Sequence, residues 1–192
     1  KFQMWMLKML GYKALSLKKL KPYLDGDKIG KVVGITFDDG YQNNLINAAP
    51  ILLKYNFSAT CYIVSESIGS SNTWDLHKGI TQSPLMTKSE INKWLNLGMD
   101  IGAHTQTHVD LTNISEEKAQ KEIGECKTEL ENLFKVSVTD FCYPFGRFNE
   151  SLLNIVKASG YLSATTMLRG KVNSASNRYM LPRIPINHRT LP

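Results

Sequence analysis

The succession of strand, helix and strand across residues 32–64 restricts the fold of this chain more than any other feature. Val32, Val33, Ile35 and Phe37 form a short apolar run that reads as a buried strand, and Gly40 supplies the turn after it. Residues 44–55 have helical spacing, with Leu45, Ile46, Ala49, Leu52 and Leu53 predicted to face inward, and residues 57–64 read as the next buried strand. Strands joined through a helix by short connections run parallel, because a tight hairpin has no room for the helix. In such sheets, functional groups gather at the carboxyl ends of the strands. At the first of these ends the chain carries Asp38-Asp39-Gly40-Tyr41.

The alternation continues on both sides. Thr87-Lys88-Ser89-Glu90 has capping-box spacing and starts a helix that buries Ile91, Trp94 and Leu95 and stops at Gly98. Residues 99–103 read as a strand, and Ser115 caps a longer helix to about Phe134 with Ile123, Cys126, Leu130 and Leu133 inward. Residues 138–143, 161–167 and 180–186 read as further strands, with a capped helix over 149–159. Upstream, Phe2, Trp5, Met6, Met9 and Leu10 recur at helical spacing and predict an opening helix that stops near Gly11 and turns its apolar stripe into the core. A short strand over 12–17 and a helical turn over 20–24 follow. This many strand–helix units fit a barrel-like parallel α/β domain better than a sandwich. A chain of 192 residues with 42% hydrophobic content is expected to form one domain, residues 1–192.

Composition removes several function classes. The net charge of +6 is spread over scattered lysines, with only Lys18, Lys19 and Lys21 clustered. No aromatic-interleaved basic stripe accompanies them, so they read as a solvated surface and not as a nucleic-acid groove. Cys61, Cys126 and Cys142 lack metal-type spacing and cannot all pair, which argues against a disulfide framework. No apolar run approaches the length of a membrane span. Residues 65–83 are rich in Ser, Gly and Asn and read as a long surface loop. Trp74 in it is either a substrate-facing lid residue or an anchor for the loop, and His77 reads as an exposed loop histidine.

Adjacent carboxylates at a strand end repel, so a cation or a shared proton is expected there. The second cluster is His104-Thr105-Gln106-Thr107-His108, at the end of another strand of the same sheet. On a helical turn, that spacing presents both imidazoles to one point. Two imidazoles and one carboxylate make a three-ligand set with open positions, suited to Zn²⁺ or another divalent transition ion. Thr105 is placed to hydrogen-bond within the loop and orient the ligands. The third cluster is Phe141-Cys142-Tyr143-Pro144-Phe145-Gly146-Arg147. There Pro144 and Gly146 fix the backbone around Phe145, which either forms only a tight turn or lets an amide point at a developing oxyanion, with Tyr143, Pro144 and the aromatic rings walling a substrate pocket. Cys142 reads as a small buried hydrophobe.

Together these motifs resemble the polysaccharide deacetylases of carbohydrate esterase family 4, the NodB-homology domain, over about residues 31–167. Thr36-Phe37-Asp38-Asp39-Gly40 matches the first motif of that family and His104-Thr105-Gln106-Thr107-His108 its His-Ser/Thr-x-x-His motif. The resemblance implies an α/β fold, a distorted and incomplete (β/α) barrel of about seven parallel strands. It implies Asp38 as general base, Asp39, His104 and His108 as ligands of one divalent transition metal ion, and a backbone NH at Phe145 lining an oxyanion hole. Zinc is the expected metal, and the ligand set also admits cobalt, nickel or iron. The implied reaction is metal-assisted hydrolysis of an N-acetyl group on an amino sugar, releasing acetate and leaving a free amine.

The departures from the family pattern carry their own expectations. Cys142 occupies the place where the third motif usually has an arginine that steadies the catalytic aspartate, and Arg183 is the candidate replacement, with a surface salt-bridge role as the alternative. The Tyr-Pro-Phe-Gly form resembles the branch acting on poly-N-acetylglucosamine and related envelope polysaccharides. That branch resembles a circularly permuted form whose general-acid histidine precedes the first helix. The acid is therefore expected in a segment upstream of Lys1, with His188 as the alternative. The expected partners are an N-acetylated glycan and, peripherally, the cell envelope, with an exported or membrane-associated monomer in view and the cytoplasm as the other location. A catalytically impaired carbohydrate-binding member of the same fold is the competing reading.

Overall fold

A computed structural model describes residues 1–186, apart from the side chains of His77 and Lys78. The strands are β1 (Lys13–Leu15), β2 (Val32–Gly34), β3 (Thr36–Phe37), β4 (Thr60–Ile63), β5 (Asp100–Ala103), β6 (Asp140–Cys142), β7 (Ser163–Arg169) and β8 (Leu181–Arg183). The α-helices are α1 (Phe2–Met9), α2 (Leu17–Leu24), α3 (Ala49–Lys54), α4 (Lys88–Asn96), α5 (Glu116–Phe134) and α6 (Glu150–Ala158). β3 to β8 form a six-stranded sheet in chain order, and β1 pairs with β2 in a second sheet. All of these strand pairs are parallel.

β2 and β3 are the halves of one extended run interrupted at Ile35. Its N–H donates to Leu15 O on β1 at 3.0 Å, and its carbonyl accepts from Thr60 N on β4 at 2.9 Å. The first half of the run thus leans on β1 and the second on β4. With β2 and β3 sharing one position, the eight strands occupy seven positions along a curled sheet, the incomplete barrel that was expected. No ladder pairs β8 with β3 among the described residues. Side chains cross that gap instead. Arg183 on β8 reaches Asp38 and Thr36, and Arg178 donates to Leu24 O and pairs with Asp25 at 3.4 Å.

Successive strand residues point to opposite faces. Cys61, Ile63 and Phe141 therefore face the helices and join the large core with Trp94, Ile91, Ile123 and Leu130. Tyr62 and Cys142 face the barrel interior, where Leu17 and Leu20 of α2 plug it from the end at which the strands begin. Trp94 anchors the outer layer, packing edge-on against Phe37 at 6.0 Å and donating Nε1–H to Asp100 O at 2.8 Å. Thr87 and Glu90 form the reciprocal capping box at the start of α4. Cys61, Cys126 and Cys142 are all buried free thiols.

Three helical faces differ from expectation. On α1, Phe2, Trp5 and Met9 are exposed by 55%, 44% and 67%, and the half-buried Met4 and Leu7 pack on the core instead. This helix is apolar on more than one side, so periodicity does not decide which side docks. In the first βαβ unit, Asn44–Ala48 is a π-helical turn ahead of α3, and Ile46 and Leu53 face solvent while Ala49 and Leu52 are buried. Pro50 lacks the N–H that an α-helical bond to Ile46 O requires, which is compatible with the wider turn. At the end of α5, Leu133 is exposed and Phe134 takes the buried place.

Gly102 on β5 lies where the interior is tightest. A Cβ there would fall 2.5 Å from the Tyr62 ring and 2.7 Å from Asp140 O. Gly102→Ala is expected to cost about 1–3 kcal/mol, read as a lower urea midpoint with an unchanged m-value.

Candidate active site

The two carboxylates at the end of β3 diverge because the backbone turns left-handed between them. Asp39 has φ +70° and Gly40 φ +78°. Aspartate tolerates this region better than most residues, and glycine enters it freely. Asp38 is directed across the barrel gap to Arg183, and Asp39 towards the end of β5.

There His104 and His108 meet Asp39. Their Nε2 atoms lie 3.3 and 3.2 Å from Asp39 Oδ1. The segment between them is not the helical turn anticipated. Thr105 and His108 both have positive φ, +65° and +59°, and the loop is irregular. Thr105 holds it from within: its hydroxyl donates to His104 O at 2.5 Å and accepts from His108 N at 2.9 Å. α5 holds it from outside. Glu122, buried, accepts from Gln106 N and Thr107 N at 3.0 Å each and from the Thr107 hydroxyl at 2.6 Å. Glu129 accepts from Gln106 Nε2 at 2.7 Å and from Ser65 Oγ.

The electrostatics follow from this packing. Burial would raise the Asp39 pKa, but hydrogen bonds from the two imidazoles hold it well below the usual carboxylate range. Burial opposes charge on His104, yet the neighbouring Cys142 and Asp39 pull its pKa up. On His108 burial prevails and the pKa is lowered. Burial, together with the carboxylates of Asp39 and Asp75, pushes the Tyr41 phenol up.

The donor set fits a divalent ion. Ligands at about 2.1 Å in a tetrahedral array are about 3.4 Å apart, close to the observed Asp39–imidazole separations. His104 Nδ1–H donates to Cys142 O at 2.7 Å, which leaves Nε2 as the ligating atom. Asp38, His104 and Cys142 also lie close together. In that set, however, Asp38 is taken by Arg183 and His104 Nδ1 by Cys142 O.

Arg183 grips Asp38 with both ends of its fork, Nη1 to Oδ1 at 2.6 Å and Nη2 to Oδ2 at 2.8 Å. Its Nε–H donates to Thr166 O at 2.9 Å, Nη1 to Thr36 Oγ1 at 3.1 Å and Nη2 to Cys142 Sγ at 3.4 Å. Phe145 sits at φ +58° with its ring edge-on to His108 at 4.8 Å. Trp74 stacks on the His108 ring at 4.3 Å and 20°. Tyr143 and Pro144, expected to present a substrate wall, point inward instead. Tyr143 is 1% exposed, its hydroxyl donates to Tyr179 O at 3.0 Å, and Pro144 is buried as well. Trp74 and Phe145 are the rings of these two aromatic segments that pack against His108. The side chain of His77 and the whole of His188 lie outside the described residues.

Sequence reasoning missed Glu122 and Glu129. The signal was present: Glu122 falls on the inward stripe of α5 with Ala119, Cys126 and Leu130, and an acid on a buried stripe needs partners.

A parallel α/β barrel with an Asp-His-His cluster at its strand ends narrows the class, and comparison with known proteins completes the step. The chain belongs to the polysaccharide deacetylase family, whose profile matches residues 25–164. It is 30% identical to Bacillus subtilis YxkH over 92% of this chain and 60% of that protein. It is 27% identical to a Staphylococcus epidermidis poly-beta-1,6-N-acetyl-D-glucosamine N-deacetylase over 98% of this chain and 66% of that one. The Streptococcus pyogenes deacetylase PplD, solved in complex with acetate, superposes with a TM-score of 0.82 at 27% identity, covering 96% of this chain and 78% of that one. The chain spans 60% to 66% of the length of these two curated relatives.

Glu122→Ala is expected to cost about 2–4 kcal/mol, because it strands two buried N–H groups and a hydroxyl. Thermal or urea unfolding checks this.

Proposed function

We propose that this chain is a metal-dependent deacetylase that hydrolyses N-acetyl groups of an N-acetylglucosamine-containing bacterial polysaccharide, releasing acetate. The observation that carries the reading is the divergence of two adjacent acids, with Asp39 facing two imidazoles and Asp38 clamped by Arg183. Asp39, His104 and His108 would hold the ion, zinc first, with cobalt, nickel or iron also suited to this donor set. When bound, the ion supplies Lewis acidity towards the acetyl carbonyl and the attacking water.

The protein groups supply the rest. Asp38 takes the proton from the attacking water, and a proton returned to the departing nitrogen as the C–N bond breaks completes acetate and a free amine. Arg183 fixes the plane of its carboxylate, and each oxygen keeps a further lone pair for that proton. The left-handed turn at Phe145 offers its backbone N–H to the developing oxyanion. Trp74 and Phe145 provide an apolar wall for the acetyl group and the sugar. The poly-beta-1,6-N-acetyl-D-glucosamine deacetylases among the relatives support the glycan assignment and, with it, a place at the cell envelope. No helix among the described residues is long and apolar enough to cross a membrane.

The test pairs acetate release from poly-N-acetylglucosamine and acetylated chitooligosaccharides with elemental analysis. Asp39→Asn is expected to lose the metal. Asp38→Asn is expected to keep it and to turn over about 10²–10⁴-fold more slowly. Equal metal loss in both variants overturns the division of roles. A metal-loaded wild-type protein that releases no acetate from any acetylated glycan favours a carbohydrate-binding member of the fold.

Arg183→Met is expected to retain metal while kcat falls about 100-fold through misplacement of Asp38. Arg183→Lys should not restore it, because an ammonium cannot make the two parallel bonds. Wild-type kcat in Arg183→Met would remove the clamp from the mechanism.

A further inference from the structure

The two histidines of the metal centre are supported unequally. His104 follows the usual scheme, donating its distal ring N–H to a backbone carbonyl, Cys142 O at 2.7 Å. His108 does not: its Nδ1 is buried without a hydrogen-bond partner among the described residues. On the side of the ring away from Asp39, therefore, no hydrogen bond among the described residues steadies His108.

Ring contacts do so instead. Trp74 lies nearly parallel to the His108 imidazole, 4.3 Å away at 20°, and Phe145 meets it edge-on at 4.8 Å and 80°. Together they fix the plane of the imidazole, and within that plane the 3.2 Å contact turns Nε2 towards Asp39. Phe145 belongs to the turn after β6. Trp74 comes from the long excursion between β4 and α4, and that excursion is pinned where it delivers the indole. Asn72, 1% exposed, accepts from Ser83 N at 2.6 Å. Ser71 and Pro84 form an antiparallel bridge, and Gly69 N donates to Met86 O at 3.0 Å. The stack thus stands on a fixed base.

We propose that Trp74 is a positioning residue for the metal ligand His108, replacing by aromatic stacking the hydrogen bond that His104 has and His108 lacks. The inference rests on the metal-centre reading above and deepens it. Metal affinity is then set in part by the seating of the loop over residues 65–83, and the indole serves the ion as well as the substrate wall.

The experiment measures Zn²⁺ affinity by chelator competition, and the visible ligand-field spectrum of the Co²⁺-loaded protein, for Trp74→Ala, Trp74→Phe and the same-turn control Leu76→Ala. Trp74→Ala is expected to bind Zn²⁺ about tenfold more weakly and to shift the Co²⁺ bands. Trp74→Phe, which keeps a flat ring, should come back to within about threefold of wild type, and Leu76→Ala should match wild type. Phenylalanine rescue separates ring support from general loop damage, and the Co²⁺ bands report only folded, loaded protein. Wild-type affinity and spectrum in Trp74→Ala, or a Trp74→Phe variant as weak as Trp74→Ala, overturns the inference. Asp39→Asn and His108→Ala are measured alongside. If they too bind Zn²⁺ like wild type, the metal-centre reading itself has failed; if only Trp74→Ala does, that reading stands and Trp74 is confined to the substrate wall.

Discussion

The pair between Asp38 and Arg183 bridges a sheet that backbone hydrogen bonding leaves open. β8 has no ladder with β3, yet both chain ends of the sheet must be held in register for the strand-end groups to converge. The guanidinium does this with both oxygens of Asp38, the Thr36 hydroxyl and the Thr166 carbonyl at once. An isolated surface pair contributes little. A bidentate pair, partly withdrawn from water and tied to two neighbouring strands, fixes geometry as well as charge. Cys142 belongs to the same arrangement. The small volume of its thiol leaves the space into which Arg183 reaches at 3.4 Å.

The second constraint is the irregular loop after β5. Its two left-handed residues, Thr105 and His108, carry a conformational cost that the loop cannot repay alone. Repayment comes from α5, whose Glu122 and Glu129 satisfy the loop's amides and side chains, and from the Thr105 hydroxyl within it. The longest helix of the chain thus does more than cover the sheet: its inward acids set the loop that points both imidazoles at Asp39.

The fold was legible because its signals are local. Thr87 and Glu90, Ser115, and Asn149 mark three helix starts by capping chemistry, and the apolar runs before Asp38 and His104 mark two strand ends. What was not legible depended on choices made at a distance. The apolar residues of α1 surround the helix, so only docking selects Met4 and Leu7 over Phe2 and Trp5. The imidazole spacing suited a helical turn equally well, and the left-handed loop is imposed by partners on α5. The aromatic run at Tyr143 gave no sign of which ring would turn inward. Tyr143 does so because Tyr179, 36 residues later, offers a carbonyl to its hydroxyl.

The order in which these groups occur along the chain has a consequence for assembly. Asp39, His104 and His108 all precede β6, whereas the guanidinium that holds Asp38 comes from the last strand, beyond the end of the family profile at residue 164. During synthesis from the N-terminus, Asp39 and the two imidazoles emerge well before the guanidinium that pairs with Asp38. A nascent or C-terminally trimmed chain therefore carries the Asp-His-His cluster without the clamp. Docking of β8 is the event that joins the two halves of the site.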